Sequence, residues 1–337
     1  MKATVNGDNN MNRPVLTVAS HEVPLPRSLS DGARAALEAS DAAPRVGFPE
    51  VDDAEGWRAA IERQRATEAG FLDSTTTEQL AGTFAVKLDQ KTVADIPVAI
   101  GTPNTWDRHD PRVVLSLHGG GWIQGGGGMV PVLALMDAAS LGMRSWAVDY
   151  RMPPEHRFPA HLDDCLAVYR AMLEEHDPQS IAVSGTSAGA NLAAALMLRA
   201  RDEGLPLPAA VAMWTPAVDL TGDGDTWHTL AGLDPIIGPH MSTLMDYYAR
   251  GQDPRHPYLS PIFGDLSAFP PTVLISGTRD GLLSDTVRFH RALRRAGRHA
   301  ELHVFEAMPH GGFDFVSPED QERGAEIRAF FDARLRH

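Results

Sequence analysis

The chain has 337 residues, 43% of them hydrophobic, which is enough to bury a large core in one α/β domain or in one domain with an appended cap. Its 30 lysines and arginines against 44 aspartates and glutamates give a formal net charge of −14, which argues against nucleic acid as a partner. The only cysteine, Cys165, cannot form a disulfide within the chain, no apolar run reaches the ~18 residues of a membrane span, and the first residues lack the apolar region of a secretory signal, so we expect a cytoplasmic protein that contacts no membrane.

Predicted strands and helices alternate along most of the chain. Extended apolar runs predict eight strands, at residues 82–88, 91–99, 112–117, 144–149, 180–184, 209–214, 271–276 and 300–305. Helical patterns accompany the later strands at residues 129–141, 160–175, 187–203, 284–297 and 318–335. This order is typical of a mostly parallel sheet with helices on its faces, so the predicted fold class is α/β.

Two segments fall outside this alternation. Residues 27–70 contain helical patterns ahead of the first predicted strand, and residues 217–250 form a long insertion between two core strands. We interpret both as parts of a cap above the sheet, with the alternative that they are surface additions away from any site. The predicted domains are an N-terminal helical cap segment at 1–75 and a main α/β domain at 76–337 that carries the cap insertion.

The stretch SIAVSGTSAGANLAAALML, residues 180–198, joins a predicted strand directly to a helix. Its centre matches G-x-S-x-G, with Ser187 between Gly185 and Gly189. In such a nucleophile elbow the turn is so sharp that the residues two positions either side of the serine must lack bulk. The hydroxyl then stands clear of the sheet, and the N–H of Ala188 is free for a developing oxyanion. Small residues also occur at ordinary strand-to-helix junctions, so the pentapeptide alone does not establish catalysis.

A second small-residue stretch, LSLHGGGWIQGGGG, follows another predicted buried strand. Its consecutive glycines, Gly119, Gly120 and Gly121, let the backbone approach a ligand and aim N–H groups at one point, as an oxyanion hole requires. Nucleotide binding is not favoured, because the sequence has neither the Gly-Lys-Ser/Thr end of a P-loop nor a G-x-G-x-x-G that begins a helix after the first strand. We interpret His118 as an organiser of this loop rather than as a base.

A serine nucleophile needs a base and an acid that orients it, in the chain order Ser, acid, His. Asp280 and His310 follow the last two predicted strands, at the carboxyl ends where open α/β sheets place their sites. Asp285 competes for the acid role, but it falls in the first turn of the next helix, where a carboxylate is most simply a helix-start charge. Ser187, Asp280 and His310 therefore form a consistent candidate triad.

In this order the motifs resemble the hormone-sensitive-lipase-like family of α/β-hydrolase esterases. The resemblance rests on HGGGW at 118–122, DYRMPPEHRFPAHLDD at 149–164, GTSAGANLA at 185–193, SGTRDGLLSD at 276–285 and MPHGGF at 308–313. It implies an α/β-hydrolase fold with a helical cap, and a triad of Ser187 as nucleophile, His310 as base and Asp280 as its orienting acid. It also implies an oxyanion hole, whose residues are Gly120, Gly121 and Ala188, with Gly119 supporting the turn.

The chain departs from the family pattern at two positions. The family's elbow commonly has Asp where this chain has Thr186, and the residue after the triad acid is often Pro or Leu where this chain has Gly281. Both departures bear on the subgroup and the substrate, because neither removes a catalytic group.

The resemblance implies a serine carboxylesterase that hydrolyses small to medium acyl or aryl esters, with lactones as a further class, through an acyl-enzyme. Its partner is then a small-molecule ester; no cofactor or metal is needed, and a homodimer is left open. Three alternatives remain: an amidase or carbamate hydrolase on the same fold, a non-catalytic ligand receptor, and a lipase acting at an oil interface. The receptor is disfavoured because receptors that resemble this family have lost the triad histidine, which is present here as His310.

Overall fold

An eight-stranded sheet forms the centre of the structure, a computed structural model that describes residues 22–41 and 47–336. The strands are β1 (Val86–Val93), β2 (Ile96–Pro103), β3 (Val113–Leu117), β4 (Arg144–Val148), β5 (Ile181–Thr186), β6 (Ala210–Trp214), β7 (Thr272–Arg279) and β8 (Ala300–Pro309). Their order across the sheet is β1-β2-β4-β3-β5-β6-β7-β8, antiparallel at β1–β2 and β2–β4 and parallel elsewhere. This arrangement confirms the predicted fold class.

Ten α-helices lie within the described ranges. They are α1 (Asp31–Asp41), α2 (Ala54–Ser74), α3 (Thr77–Phe84), α4 (Met129–Leu141), α5 (Ala160–Glu175), α6 (Ala188–Asp202), α7 (Thr226–Thr229), α8 (Met241–Ala249), α9 (Leu283–Arg295) and α10 (Pro318–Asp332). The predicted helices at 129–141 and 160–175 have the predicted bounds. None of the helices in these ranges has both the length and the apolar character that a membrane crossing needs.

The first two strands begin and end later than the sequence predicts. The hairpin turns at Ala94 and Asp95, whose φ values of 49° and 65° suit a tight two-residue turn, rather than at residues 89 and 90. The polar pair Asp89 and Gln90 looks like a turn in the sequence, but it lies within β1, whose middle residues face solvent. Residues 82–84, predicted as strand, end helix α3, which has a capping box at Thr76.

The central strands are buried on both faces, as their continuous apolar runs require. Every residue of β3 and β6 is buried. On one face α4 and α10 pack together, whereas α5 and α6 pack together on the other. The parallel strands β3, β5, β6, β7 and β8 therefore have their carboxyl ends along one edge of a rigid layer, and the loops that follow them lie there.

The N-terminal helices contact two different parts of this edge. Trp57 on α2 stacks on Tyr247 on α8, with ring centroids 3.8 Å apart. Helix α1 packs elsewhere: Leu37 is buried in a cluster that includes Ala307, with Phe313 packed against it, on the two sides of His310. Helix α2 and the insertion are thus joined, whereas α1 lies against the loop after β8; the predicted cap residues 1–21 and 42–46 lie outside the described residues.

Candidate active site

Ser187 occupies the sharp turn between β5 and α6. Its φ of 55° and ψ of −116° are an uncommon conformation for a residue with a side chain. A Cβ on Gly185 would lie 2.4 Å from the Gly189 carbonyl oxygen, and a Cβ on Gly189 would lie 2.0 Å from that of Leu117. The two glycines are therefore required by close backbone contacts. The N–H of Ser187 donates to the carbonyl oxygen of Trp214 on β6 at 2.8 Å, which holds the strained residue to the sheet.

The three residues of the predicted triad lie in hydrogen-bond contact. The Oγ of Ser187 is 2.8 Å from Nε2 of His310, and Nδ1 of His310 is 3.0 Å from Oδ1 of Asp280. Asp280 is fully buried, and its carboxylate accepts hydrogen bonds from the N–H of Leu282 at 2.9 Å and from Oγ of Ser276 at 2.5 Å. The imidazole is therefore placed between a hydroxyl and a fixed carboxylate, the arrangement that activates a serine.

The glycine loop after β3 lies beside this serine. A Cβ on Gly119 would be 3.5 Å from Cβ of Ser187, and Gly120 and Gly121 have φ of 106° and 58°. Among the described residues, no hydrogen bond from the N–H groups of Gly120, Gly121 or Ala188 to a protein acceptor is found. The structure thus places Gly119 against Ser187, with Gly120 and Gly121 next to it in the same loop and Ala188 next to the serine in the chain.

Comparison with known proteins identifies the family of this chain. A family model described as the α/β-hydrolase fold matches residues 114–314. The chain belongs to this family. It is 36% identical over 207 residues to an acetyl-hydrolase of Streptomyces hygroscopicus, and this alignment covers 60% of this chain and 69% of that protein. It is also 33% identical over 280 residues to the putative acetyl-hydrolase LipR of Mycobacterium tuberculosis, which covers 81% and 90%.

Solved structures give the same assignment. The crystal structure of esterase E25 superposes with a TM-score of 0.84 at 31% identity and covers 96% of this chain and 99% of that one. An esterase of the bacterial hormone-sensitive lipase family superposes with a TM-score of 0.75 at 28% identity, covering 91% and 99%. The chain is therefore a carboxylic ester hydrolase of the hormone-sensitive-lipase-like group, which confirms the resemblance inferred from its motifs.

The surroundings of His310 in this hydrolase raise its pKa above that of a free histidine. Burial by itself lowers the pKa of His310, but the hydrogen bond and charge of Asp280 and the charge of Asp234 outweigh it, so the net pKa lies above 6.5. The two carboxylates therefore stabilise the charged form of this imidazole.

Side chains that the sequence did not single out support the hydrolase's glycine loop. Nε2 of His161 hydrogen-bonds the carbonyl oxygen of Trp122 at 3.1 Å, and the hydroxyl of Tyr150 donates to the carbonyl oxygen of His118 at 2.7 Å. From α2, Glu68 accepts the N–H of Gly125 at 2.8 Å. His118 stacks on Tyr150, and burial lowers its pKa to about 4, so it is neutral at the pH where esterases work.

Two further buried acidic side chains of the hydrolase have specific partners as well. Asp285, predicted as a helix-start charge, is fully buried; burial and then the charge of Asp219 raise its pKa to about 8, and Trp227 donates to it at 3.2 Å. Asp164 on α5 pairs with Arg151 at 2.7 Å and so fixes the Pro-rich loop. No local sequence signal marks Asp285 as buried.

The hydrolase has one group of side chains with the ligand types of a metal site. Among the described residues, Asp234, Asp280 and His310 have ligand atoms within 4.8 Å of one another, and all three side chains are buried. Hydrogen bonds within the protein already use these atoms: Asp280 and His310 bind each other, and Asp234 accepts backbone N–H groups. These side chains are therefore already partnered within the protein.

Proposed function

We propose that the protein is a serine carboxylesterase that hydrolyses small to medium acyl and aryl esters through an acyl-enzyme on Ser187. The observation that carries the proposal is the continuous hydrogen-bonded series from Ser187 through His310 to Asp280. In this proposal, Ser187 is the nucleophile, His310 the general base and Asp280 the residue that orients the imidazole.

In the first half-reaction, Oγ of Ser187 attacks the ester carbonyl carbon while Nε2 of His310 takes its proton. The negative charge that develops on the carbonyl oxygen is received by the N–H groups of Gly120, Gly121 and Ala188, with Gly119 holding the turn. Asp280 fixes the tautomer with the proton on Nδ1 and stabilises the imidazolium. When the tetrahedral intermediate collapses, His310 gives the proton to the departing alcohol, and the acyl group stays on Ser187.

Water completes the cycle by the same proton path. His310 removes a proton from water as the water oxygen attacks the acyl carbonyl, and returns it to Oγ of Ser187 when the carboxylic acid leaves. Two covalent steps replace one hydrolysis, and each uses the same oxyanion donors.

The substrate class is supported by what covers the oxyanion loop. A Cβ on Gly121 would lie 2.7 Å from Leu244 on α8, and Trp122 stacks on Tyr248 of the same helix at 4.3 Å. Packing this close leaves little room beside the donors, so we propose a preference for short acyl groups such as acetyl. Two relatives are named acetyl-hydrolases, and the related EstE5, 25% identical with a TM-score of 0.78, was soaked with p-nitrophenyl butyrate.

A hydrolysis series tests the proposal. The purified protein is assayed with p-nitrophenyl esters from acetyl to dodecanoyl, with phenyl acetate, with a small lactone and with p-nitroacetanilide as the matched amide. We expect kcat/KM to be highest for the short esters and lowest for the amide. Faster turnover of the amide than of its ester would assign the site to an amidase, and no turnover of any ester would overturn the proposal.

The acyl-enzyme is tested separately. Mixing with p-nitrophenyl acetate at low pH, rapid quenching and mass spectrometry of the digested protein should find one acetyl group on the peptide that contains Ser187. An acetyl group on another side chain, with none on Ser187, would place the nucleophile elsewhere.

A further inference from the structure

A second buried carboxylate lies next to the triad. Asp234 lies in the insertion between α7 and α8, outside every strand and helix of the main sheet, and only 2% of its surface is exposed. One of its carboxylate oxygens accepts the N–H groups of Ile236 at 2.8 Å and Ile237 at 2.9 Å. These two contacts fold the Asp-Pro turn of the insertion.

The other oxygen of Asp234 reaches out of the insertion to the triad. It accepts the N–H of Gly281 at 2.6 Å, and Gly281 directly follows Asp280 in the chain. A Cβ on Gly281 would lie 2.5 Å from the side chain of Ile237, so a larger residue would separate the two segments. Gly281 is also a departure from the family pattern, and a proline at this position would have no N–H to donate.

Asp234 also acts on His310 through space. Ligand-type atoms of Asp234, Asp280 and His310 lie within 4.8 Å of one another, which is close enough for a charge to act strongly in a site without bulk water. The oxygens of Asp234 receive three N–H donors, the pattern that an ionised carboxylate satisfies. Burial raises the pKa of Asp234, and the charge of His310 opposes that rise.

We propose that Asp234 is a positioning residue for the triad: it holds the Asp280 loop through Gly281 and supplies a second negative charge to the His310 imidazolium. The proposal rests on the catalytic roles given above. It gives the insertion a part in the chemistry, because the insertion would contribute a charge as well as a cover.

The charged groups around this cluster are of two kinds. Asp280, on the loop after β7, belongs to the cluster and acts on both His310 and Asp234, whereas the others pair among themselves. Asp285 and Asp219 face each other, and Asp219 pairs with Arg288 at 2.6 Å. Among the described residues, Asp280 and Asp234 are the charged groups that raise the pKa of His310. Removal of the Asp234 charge is therefore expected to lower that pKa.

The test compares Asp234→Asn and Asp234→Ser with the parent and with Asp225→Asn. Both Asp234 variants lose the charge, and the Ser hydroxyl keeps an acceptor for the turn. Asp225 lies in the same insertion, is exposed and makes no side-chain cap bond, so it is the matched control. The measurements are kcat and KM for p-nitrophenyl acetate against pH, and NMR titration of the His310 imidazole, which needs no turnover.

We expect the acid limb of kcat/KM and the NMR titration of His310 to move down by about half to one pH unit in both variants. The plateau kcat should fall by up to about tenfold with KM unchanged, because Asp234 is buried and its hydrogen bonds go to backbone N–H groups. Asp225→Asn should match the parent in every measurement.

Three results would overturn the proposal. They are an unchanged His310 titration in folded Asp234 variants, an equal shift in Asp225→Asn, and a failure of both variants to fold, which would assign the carboxylate to structure alone. If the parent itself hydrolyses no ester, the proposed function fails, while the NMR titration still tests the effect of Asp234 on His310.

Discussion

The carboxyl edge of the sheet and the segments that cover it are held in place by different kinds of contact. At the edge, backbone contacts fix the groups: Gly185 and Gly189 permit the turn, and the N–H of Ser187 is tied to Trp214. The cover is held mainly by side chains, such as Trp57 on Tyr247 and Leu37 beside Ala307. The edge therefore holds the three triad side chains, whereas most of the cover is expected to act on which ester fits, with Asp234 as its one proposed link to the triad.

The sharpest test of the edge is Ser187→Ala. The change removes one hydroxyl and no core volume, so the fold should persist while kcat/KM for short esters falls by about ten-thousand-fold. Circular dichroism and thermal unfolding report the fold, and p-nitrophenyl acetate hydrolysis reports the activity. A variant that kept a tenth of the parent activity would show that the nucleophile is elsewhere.

The pH profile tests the edge without a mutation. In the proposed mechanism His310 must be neutral to accept the serine proton. Its pKa lies above 6.5, so kcat/KM should fall about tenfold for each pH unit below that raised pKa. Initial rates between pH 5 and 9, measured at substrate concentrations well below KM, give the midpoint of this acid limb. A midpoint below 6.5 would contradict the charge effect of Asp280 and Asp234.

The cover is tested by Trp57→Ala on α2 and Leu37→Ala on α1, each of which removes a buried side chain that holds its helix in place. Trp57 is fully buried, and its removal should cost about 3–5 kcal/mol of unfolding free energy, against about 2–5 kcal/mol for Leu37. Urea unfolding measures these losses. Because α2 and α8 lie beside the glycine loop, Trp57→Ala should shift the acyl-length preference toward longer esters.

Leu37→Ala should act differently, because α1 packs against Ala307 and Phe313 on the two sides of His310. We expect a several-fold lower kcat for all esters with the order of preference kept. If the two variants gave the same acyl-length profile, the two sides of the cover would be equivalent, and the contrast between them would be wrong.

The smallest effect is expected for Cys165→Ser. Cys165 is fully buried on α5, and burial raises the pKa of its thiol, so the sulfur stays protonated and unreactive. Replacing it with a hydroxyl in an apolar site should cost about 1–3 kcal/mol of stability and leave kcat/KM within about twofold of the parent. A folded variant that had lost its activity would reopen the choice of nucleophile.

Sequence patterns predicted the edge much better than the cover. The elbow, the glycine loop and the strand ends each follow a local rule that small residues or buried apolar runs must satisfy, and the structure brings Ser187, Asp280 and His310 together. Nothing local predicts that Asp234, in an ordinary Asp-Pro turn, meets Gly281 47 residues later along the chain. Local patterns also do not predict that α1 and α2 pack against different parts of the molecule, because both are helical patterns with apolar faces.

The strained backbone of Ser187 has a consequence for attempts to make this enzyme more heat-resistant. A non-glycine residue in this conformation costs about 1–3 kcal/mol, and glycine would adopt the same φ and ψ with much less strain. A library selected only for survival at high temperature would therefore favour Ser187→Gly, which discards the hydroxyl. Selection for thermal resistance must be coupled at every round to a screen for ester turnover, because at this residue the two properties are opposed.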